Sequence, residues 1–424
     1  MRSRVVAALA AACFGTSASA TGEVPQLCSN PLTAAAVIRC ALARSPEVRR
    51  ARLDLDVVAG QRTTARTLLP QRPVVSFSAG ERWAAGATAF DAYVTLAQEI
   101  EIGGQRGLRL DELDAASAAA IRRVAATEHD VAAAAVAAYW RFAAGRQRVV
   151  LVRDAARIAA ALGRLTEERR KEALVARVDA DIAESEAVQI GLRAGEANRV
   201  EAEASAELAA LLDLGDPLAM QPGDEMDPSP TESPPGLVAR ALLVRGDLAA
   251  AQAEKTAAER RVAVLERERI PNVTLSVSVE RDGFGWNFLG GGLSVPIPLP
   301  NPLVPNGAGE IAVARARSLQ ADLDVVALRR RVVLEVNRAV ANERAAASAL
   351  RAFSGTLIER ARKDLEALGD ALTARQMSVR EALLAQRSLL DLLESNLAVR
   401  LQYRLARTEL WRAAGLPLSS GGAP

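Results

Sequence analysis

Val75-Ser76-Phe77-Ser78-Ala79-Gly80-Glu81-Arg82-Trp83 alternates apolar with polar side chains, and Val273-Thr274-Leu275-Ser276-Val277-Ser278-Val279-Glu280-Arg281 repeats the pattern about 200 residues on. Side chains that change sides at every residue mark a β-strand with one apolar and one polar face. Each segment is followed by a second alternating run, Ala92 to Ile102 in the first case and Leu289 to Ile297 in the second. The expected strands are residues 73–83, 91–102, 271–281 and 287–298.

Working outward, each strand pair leads into a very long helical stretch. No proline occurs between Pro73 and Pro217, or between Pro305 and Pro417. A helix from Gln105 to Leu165 would reach about 90 Å at 1.5 Å per residue. Leu383, Leu390, Leu393, Leu397, Leu401 and Leu405 recur at helical spacing with Arg and Glu between them, as in a coiled coil. Reversals near residues 163–177 and 369–380 fold each run into an antiparallel hairpin. Short helices precede the strands, broken at Ser45-Pro46 in the first copy and at Gly246-Asp247 in the second. Asp216 to Gly236 holds six prolines and reads as a linker. The expected organisation is a signal segment 1–20, a first repeat 21–215, a linker 216–236, a second repeat 237–415 and a tail 416–424.

Arg2 and Arg4, an apolar stretch from Val5 to Phe14, and Ala18-Ser19-Ala20 form an export signal with its cleavage site. That site is better placed than a lipid-acceptor role for Cys13. Export places Cys28 and Cys40 in an oxidising compartment, either bridged as a disulfide or left as two thiols. The formal charge of +2 becomes 0 once Arg2 and Arg4 are removed, so nothing suggests a nucleic-acid surface. No run of apolar residues is long enough for a membrane-spanning helix.

Of the thirteen aromatics after residue 20, seven lie in or beside the alternating segments: Phe77, Trp83, Phe90, Tyr93, Phe284, Trp286 and Phe288. Aromatic rings favour the membrane interface, and strands of this length fit a transmembrane barrel. A soluble hairpin with an aromatic core is the alternative. Four strands are too few to close a barrel, and open edges cannot face lipid. Hairpins of this kind in a membrane require several chains to share one barrel.

Catalytic chemistry is absent from the pattern. There is no nucleotide-binding GxxxxGK[ST] loop and no GxSxG elbow, and His129 is the single histidine. The carboxylates alternate with Arg along helices, as surface ion pairs do. The expectation is a protein that is not an enzyme and holds no cofactor.

With this outline in place, the chain resembles the TolC family of Gram-negative outer-membrane efflux proteins. The resemblance is carried by Gln98-Glu99-Ile100-Glu101-Ile102-Gly103-Gly104-Gln105-Arg106 and by Val295-Pro296-Ile297-Pro298-Leu299-Pro300 leading to Asn306-Gly307-Ala308-Gly309-Glu310. It is most similar to the heavy-metal branch typified by CzcC and CusC. The resemblance implies a mainly α fold with a small β part: long antiparallel coiled-coil helices, and four strands per chain in a twelve-stranded transmembrane β-barrel shared by a homotrimer. It implies an exit channel in the outer membrane with helices in the periplasm, passively conducting heavy-metal cations. The partners would be outer-membrane lipid, a periplasmic adaptor and an inner-membrane RND-type pump. The alternatives are the same channel serving drug efflux or type I protein secretion, and a periplasmic coiled-coil scaffold outside the membrane. Gly103, Gly104, Pro296, Pro298, Gly307 and Gly309 would form the strand–helix swivel. Ala173 and Arg375 stand where the family carries glycine at the tunnel tips. Asp179, Asp181 and Glu381 either line an electronegative constriction there or lie on a solvated helix face.

Overall fold

The structure, a computed structural model, describes Cys28 and residues 31–84, 86–215, 220–224, 234–283, 285–297, 307–374 and 376–417. The expected signal segment 1–20, Phe284 and the tail beyond residue 417 lie outside the described residues.

The first copy opens with α1 (Ala34–Arg44) and α2 (Pro46–Ala65). They part at Ser45, whose hydroxyl accepts from the Glu47 and Val48 amides at 3.2 and 3.3 Å. Strands β1 (Val74–Ala84) and β2 (Ala87–Ile100) follow, then α3 (Gln105–Lys171) and α4 (Arg177–Leu212). The second copy repeats the order with α5 (Leu237–Val244), α6 (Gly246–Arg267), β3 (Val273–Arg281) and β4 (Asn287–Ser294). It ends in α7 (Ala308–Arg351), α8 (Gly355–Thr373) and α9 (Val379–Ala414). At 67 residues, α3 is about 100 Å long.

Three details differ from the sequence expectation. Strand β2 starts at Ala87 rather than residue 91, because Ala84 pairs directly with Ala87 beside Gly86, which has φ 89°. Strand β4 stops at Ser294, short of residue 298. Pro296 has no N–H for the ladder, so pairing cannot run through it. The long helix of the second copy is interrupted after Arg351. Ser354 starts a new helix there, its hydroxyl accepting from the Leu357 amide at 3.3 Å.

The four strands form one antiparallel sheet in the order β1-β2-β3-β4. Pairing of β2 with β3 joins the two copies: Val94 lies opposite both Phe77 and Val279, and Leu96 opposite both Val75 and Val277.

Packing resides in the helices. The largest core cluster gathers Tyr139, Trp140 and Phe142 of α3, Val37 and Cys40 of α1, and Leu208 of α4. Gly145 allows α3 to approach α4 closely, since a Cβ there would stand 3.2 Å from the Glu201 backbone. A second cluster joins α5, α7 and α9 around Val332, Val336 and Leu410. Arg245 fastens the same region, reaching Asp247 at 2.6 Å, Glu335 at 2.7 Å and the Ala413 carbonyl at 3.2 Å. The leucine series of α9 is core: Leu383, Leu390, Leu393 and Leu397 are buried.

The N-terminal arm is held against the linker. Cys28 and Cys40 are joined by a disulfide with Cα atoms 5.4 Å apart. The Leu32 amide donates to Gln221 O at 2.8 Å, and the Gly223 amide to Leu32 O at 2.6 Å. The buried Tyr139 hydroxyl donates to Leu32 O and accepts from the Asp224 amide, both at 3.0 Å. Burial pushes this phenol well above its ordinary pKa, so it remains a neutral donor. Tyr139→Phe leaves that amide without its partner, and destabilisation by about 1–3 kcal/mol is expected. The check is a lower urea midpoint in the helical circular-dichroism signal.

Candidate functional site

The sheet has two chemically distinct faces. Val75, Phe77, Val94, Leu96, Leu275, Val277, Val279, Leu289 and Leu293 occupy one face through cross-strand pairing. All are exposed in the single chain, Phe77 to 69 % and Leu289 to 74 %. The opposite face carries Ser76, Ser78, Thr95, Thr274, Ser276 and Ser278. At the end away from the helices, Arg82 holds Asp91 at 2.9 Å, and Asp91 accepts from the Gly283 amide at 3.0 Å. That contact clamps the two hairpin turns together. Among the described residues, the outer edges of β1 and β4 have no strand neighbour.

At the other end, glycines stand where the chain passes from strand to helix. Gly104 and Gly307 stand at equivalent places in the two copies, as N-caps of α3 and α7, and both have φ 73°. A side chain at either position would be strained by that left-handed backbone. Gly103 lies beside Gly104, Gly309 sits in the first turn of α7, and Pro296 follows β4 in exposed chain. Pro298 is outside the described residues.

A polar network that the sequence reading missed crosses this junction. Buried Gln105 donates to Ile270 O at 3.1 Å and to Asn272 Oδ1 at 3.2 Å. Asn272 donates to Glu99 Oε1 at 2.6 Å, and Arg109 holds Glu101 at 2.5 Å. These bonds stitch the start of α3 to the strand entry of the other copy. The polar residues around Gly103-Gly104 were the available signal, but no periodicity links them to Asn272.

The far ends of the helical hairpins lie together. Leu162, Ala183, Val379, Ala382 and Leu383 make a small shared core there. Beyond it is an open cleft of about 610 Å³ lined by Arg169, Leu174, Asp179, Met377 and Arg380. Asp179 lies 3.5 Å from Arg380, and Asp181 3.9 Å from Arg177. Glu381 closes a capping box with Ser378 at the start of α9. The Ser378 N–H, and then its hydroxyl, hold the Glu381 carboxyl below the ordinary glutamate value. The structure therefore brings Asp179 and Glu381 to one end of the bundle and gives each of the three acids a local partner.

Ala173 ends α3 with φ 59°, its amide bonded to Arg170 O at 3.0 Å and the Leu174 amide to Arg169 O at 2.9 Å. This is a Schellman motif with alanine in the left-handed position, where glycine is the unstrained residue. Arg375, the equivalent residue of the second hairpin, lies outside the described residues.

Among the described residues no helix is long and apolar enough to cross a membrane, and no cluster of three or more His, Cys, Asp or Glu is placed to hold a metal ion. An amphipathic four-stranded sheet on a long helical bundle is a distinctive arrangement, and solved structures superpose on the chain that carries it. The chain superposes on CusC with a TM-score of 0.73 at 15 % identity, covering 91 % of this chain and 92 % of that one. The MtrE outer membrane channel of Neisseria gonorrhoeae gives 0.73 at 18 % identity, covering 90 % and 88 %. The outer membrane protein VceC of Vibrio cholerae gives 0.70 at 19 %, covering 90 % and 96 %. The chain has the fold of these solved proteins. In sequence it is similar to the cobalt-zinc-cadmium resistance protein CzcC of Cupriavidus metallidurans, 23 % identical over 285 residues, or 67 % of each chain. No family model matches the sequence. Of the expected fold class, the four strands per chain and the long antiparallel helices are present.

Strain at the tip of the bundle is testable. Ala173→Gly removes the left-handed penalty of about 1–2 kcal/mol and adds back part of it as unfolded-chain entropy. A net gain of about 0.5–1 kcal/mol is expected, measured as slower hydrogen exchange at the Leu174 amide.

Proposed function

We propose that three copies of this chain form an outer-membrane exit channel of a tripartite efflux system, passively conducting metal cations. One observation carries this: a four-stranded sheet with an apolar face, a polar face and two unpaired edges. Three such sheets, joined β1 to β4, give twelve strands with no edge left. The apolar face then meets lipid and the polar face lines a hydrated lumen. The helices extend from the barrel into the periplasm as a tunnel.

The partners of this homotrimer are a periplasmic adaptor and an inner-membrane RND-type pump at the far tip. Energy for transport comes from the pump in this scheme. Metal cations are favoured as cargo by the likeness to CzcC, a protein named for cobalt, zinc and cadmium resistance. The two hairpin ends are the gate in this scheme. They meet through a small apolar core and the pair formed by Asp179 and Arg380, so an adaptor has few contacts to break before they splay.

Extraction from outer membranes in mild detergent, followed by native mass measurement, tests the assembly. A trimer is expected, and a monomer would remove the barrel. Leu275 faces its neighbours Leu293 and Gln98 on the apolar side of the sheet. Leu275→Arg should cost roughly 2–4 kcal/mol near the bilayer midplane. Loss of heat-resistant oligomer from the membrane fraction is the expected result, and normal assembly would put the residue outside lipid. Asp179→Lys should lower cation selectivity in planar bilayers. Unchanged reversal potentials would take Asp179 out of the constriction.

A further inference from the structure

Each copy passes from helix to strand through a short elbow: Arg66-Thr67-Leu68-Leu69-Pro70-Gln71-Arg72-Pro73 in the first and Arg267-Glu268-Arg269-Ile270-Pro271 in the second. Both combine exposed aliphatic and guanidinium groups. Leu68 is exposed to 78 % and Leu69 to 45 %. Arg66, Arg72, Arg267 and Arg269 are exposed, and among the described residues no carboxylate pairs with any of them. Arg62, one turn earlier, is by contrast paired with Asp114 at 2.7 Å.

The first elbow is the better defined. Arg106, in the opening turn of α3, places its guanidinium on the Arg66 carbonyl at 2.9 and 3.2 Å, bringing a third cation to the group. The location of the elbow follows from Gln98. By alternation along β2 it shares the apolar face with Leu96 and Ile100, and its amide donates to Gln71 O at 3.1 Å. The elbow therefore sits at the helix-side border of the apolar face. Exposed Leu68 and Leu69 and the cations lie beside that border in the chain.

We propose that this elbow is a docking surface for anionic phospholipid headgroups in the leaflet on the helical side of the sheet. Arg66, Arg72 and Arg106 contact the phosphates, and Leu68 and Leu69 enter the acyl region. The idea rests on the membrane channel described above and adds the class of lipid it prefers. A guanidinium offers paired N–H donors to two phosphate oxygens at once. Cations at a membrane border gain from a negative surface, and apolar side chains beside them deepen the contact. Uncompensated positive charge at this border selects anionic over zwitterionic lipid.

The test uses the assembled full-length protein in mild detergent, titrated with phosphatidylglycerol or phosphatidylcholine, with bound lipid counted by native mass spectrometry. Phosphatidylglycerol should bind more tightly, with a preference that shrinks as salt is raised. R66Q/R72Q should weaken phosphatidylglycerol binding about 25-fold, at about fivefold per cation, and leave phosphatidylcholine unaffected. R66K/R72K should retain most of the preference, since it keeps the charge. Equal affinity for the two lipids, or a salt-independent preference, would overturn the proposal. So would wild-type phosphatidylglycerol binding by R66Q/R72Q. If R66Q/R72Q fails to trimerise while wild-type binding shows no lipid preference, the elbow is a contact between copies. A protein that enters bilayers without preferring anionic lipid sinks the elbow alone, whereas one that never enters a bilayer sinks the channel too.

Discussion

The unpaired outer edges of β1 and β4 are the constraint on which the rest of this molecule depends. An exposed N–H or C=O costs little in water and several kcal/mol in hydrocarbon. A sheet that is apolar on one side and open at both borders is therefore incomplete in a bilayer until another sheet adjoins it. The duplicated architecture already solves half of that problem. Pairing of β2 with β3 merges two marginal hairpins into one sheet. The mouth of the sheet is secured separately, by Asp91 bridging Arg82 and the Gly283 amide.

The helical half obeys different physics. Its stability comes from buried apolar clusters along α3, α4, α7 and α9, supplemented by pairs such as Arg148 with Glu394 at 2.8 Å and Arg193 with Asp391 at 2.8 Å. The two ends of this half are unequal. Near the sheet, Gln105, Asn272 and Glu99 lock the copies together through hydrogen bonds with little exposure. At the tip a small core, a strained Ala173 and charged groups around an open cleft hold the hairpins. Movement is therefore less costly at the tip than at the junction.

Much of this was legible in the chain because the signals are local. A period of two fixed the strands and their faces, and proline-free runs fixed the helical stretches. Gly104 and Gly307 marked the places where a left-handed residue was needed. What escaped was non-local. Gln105 meets Asn272 across 167 residues, and Tyr139 receives the Asp224 amide across 85. The break at Ser354 also escaped, because a serine inside a helical pattern signals a cap only once the preceding turn is seen to end. Asp179 and Arg380 carried no sign in the sequence that they face one another.

The sequence by itself determined which residues alternate, which spiral, and where the backbone has to turn, since those properties depend on neighbours within a few positions. Only the tertiary structure decided that β2 and β3 pair, that the two tips converge, and that the first elbow lies on the apolar side of the sheet. Those outcomes depend on which distant groups meet, and an isolated stretch of chain carries no record of its partner.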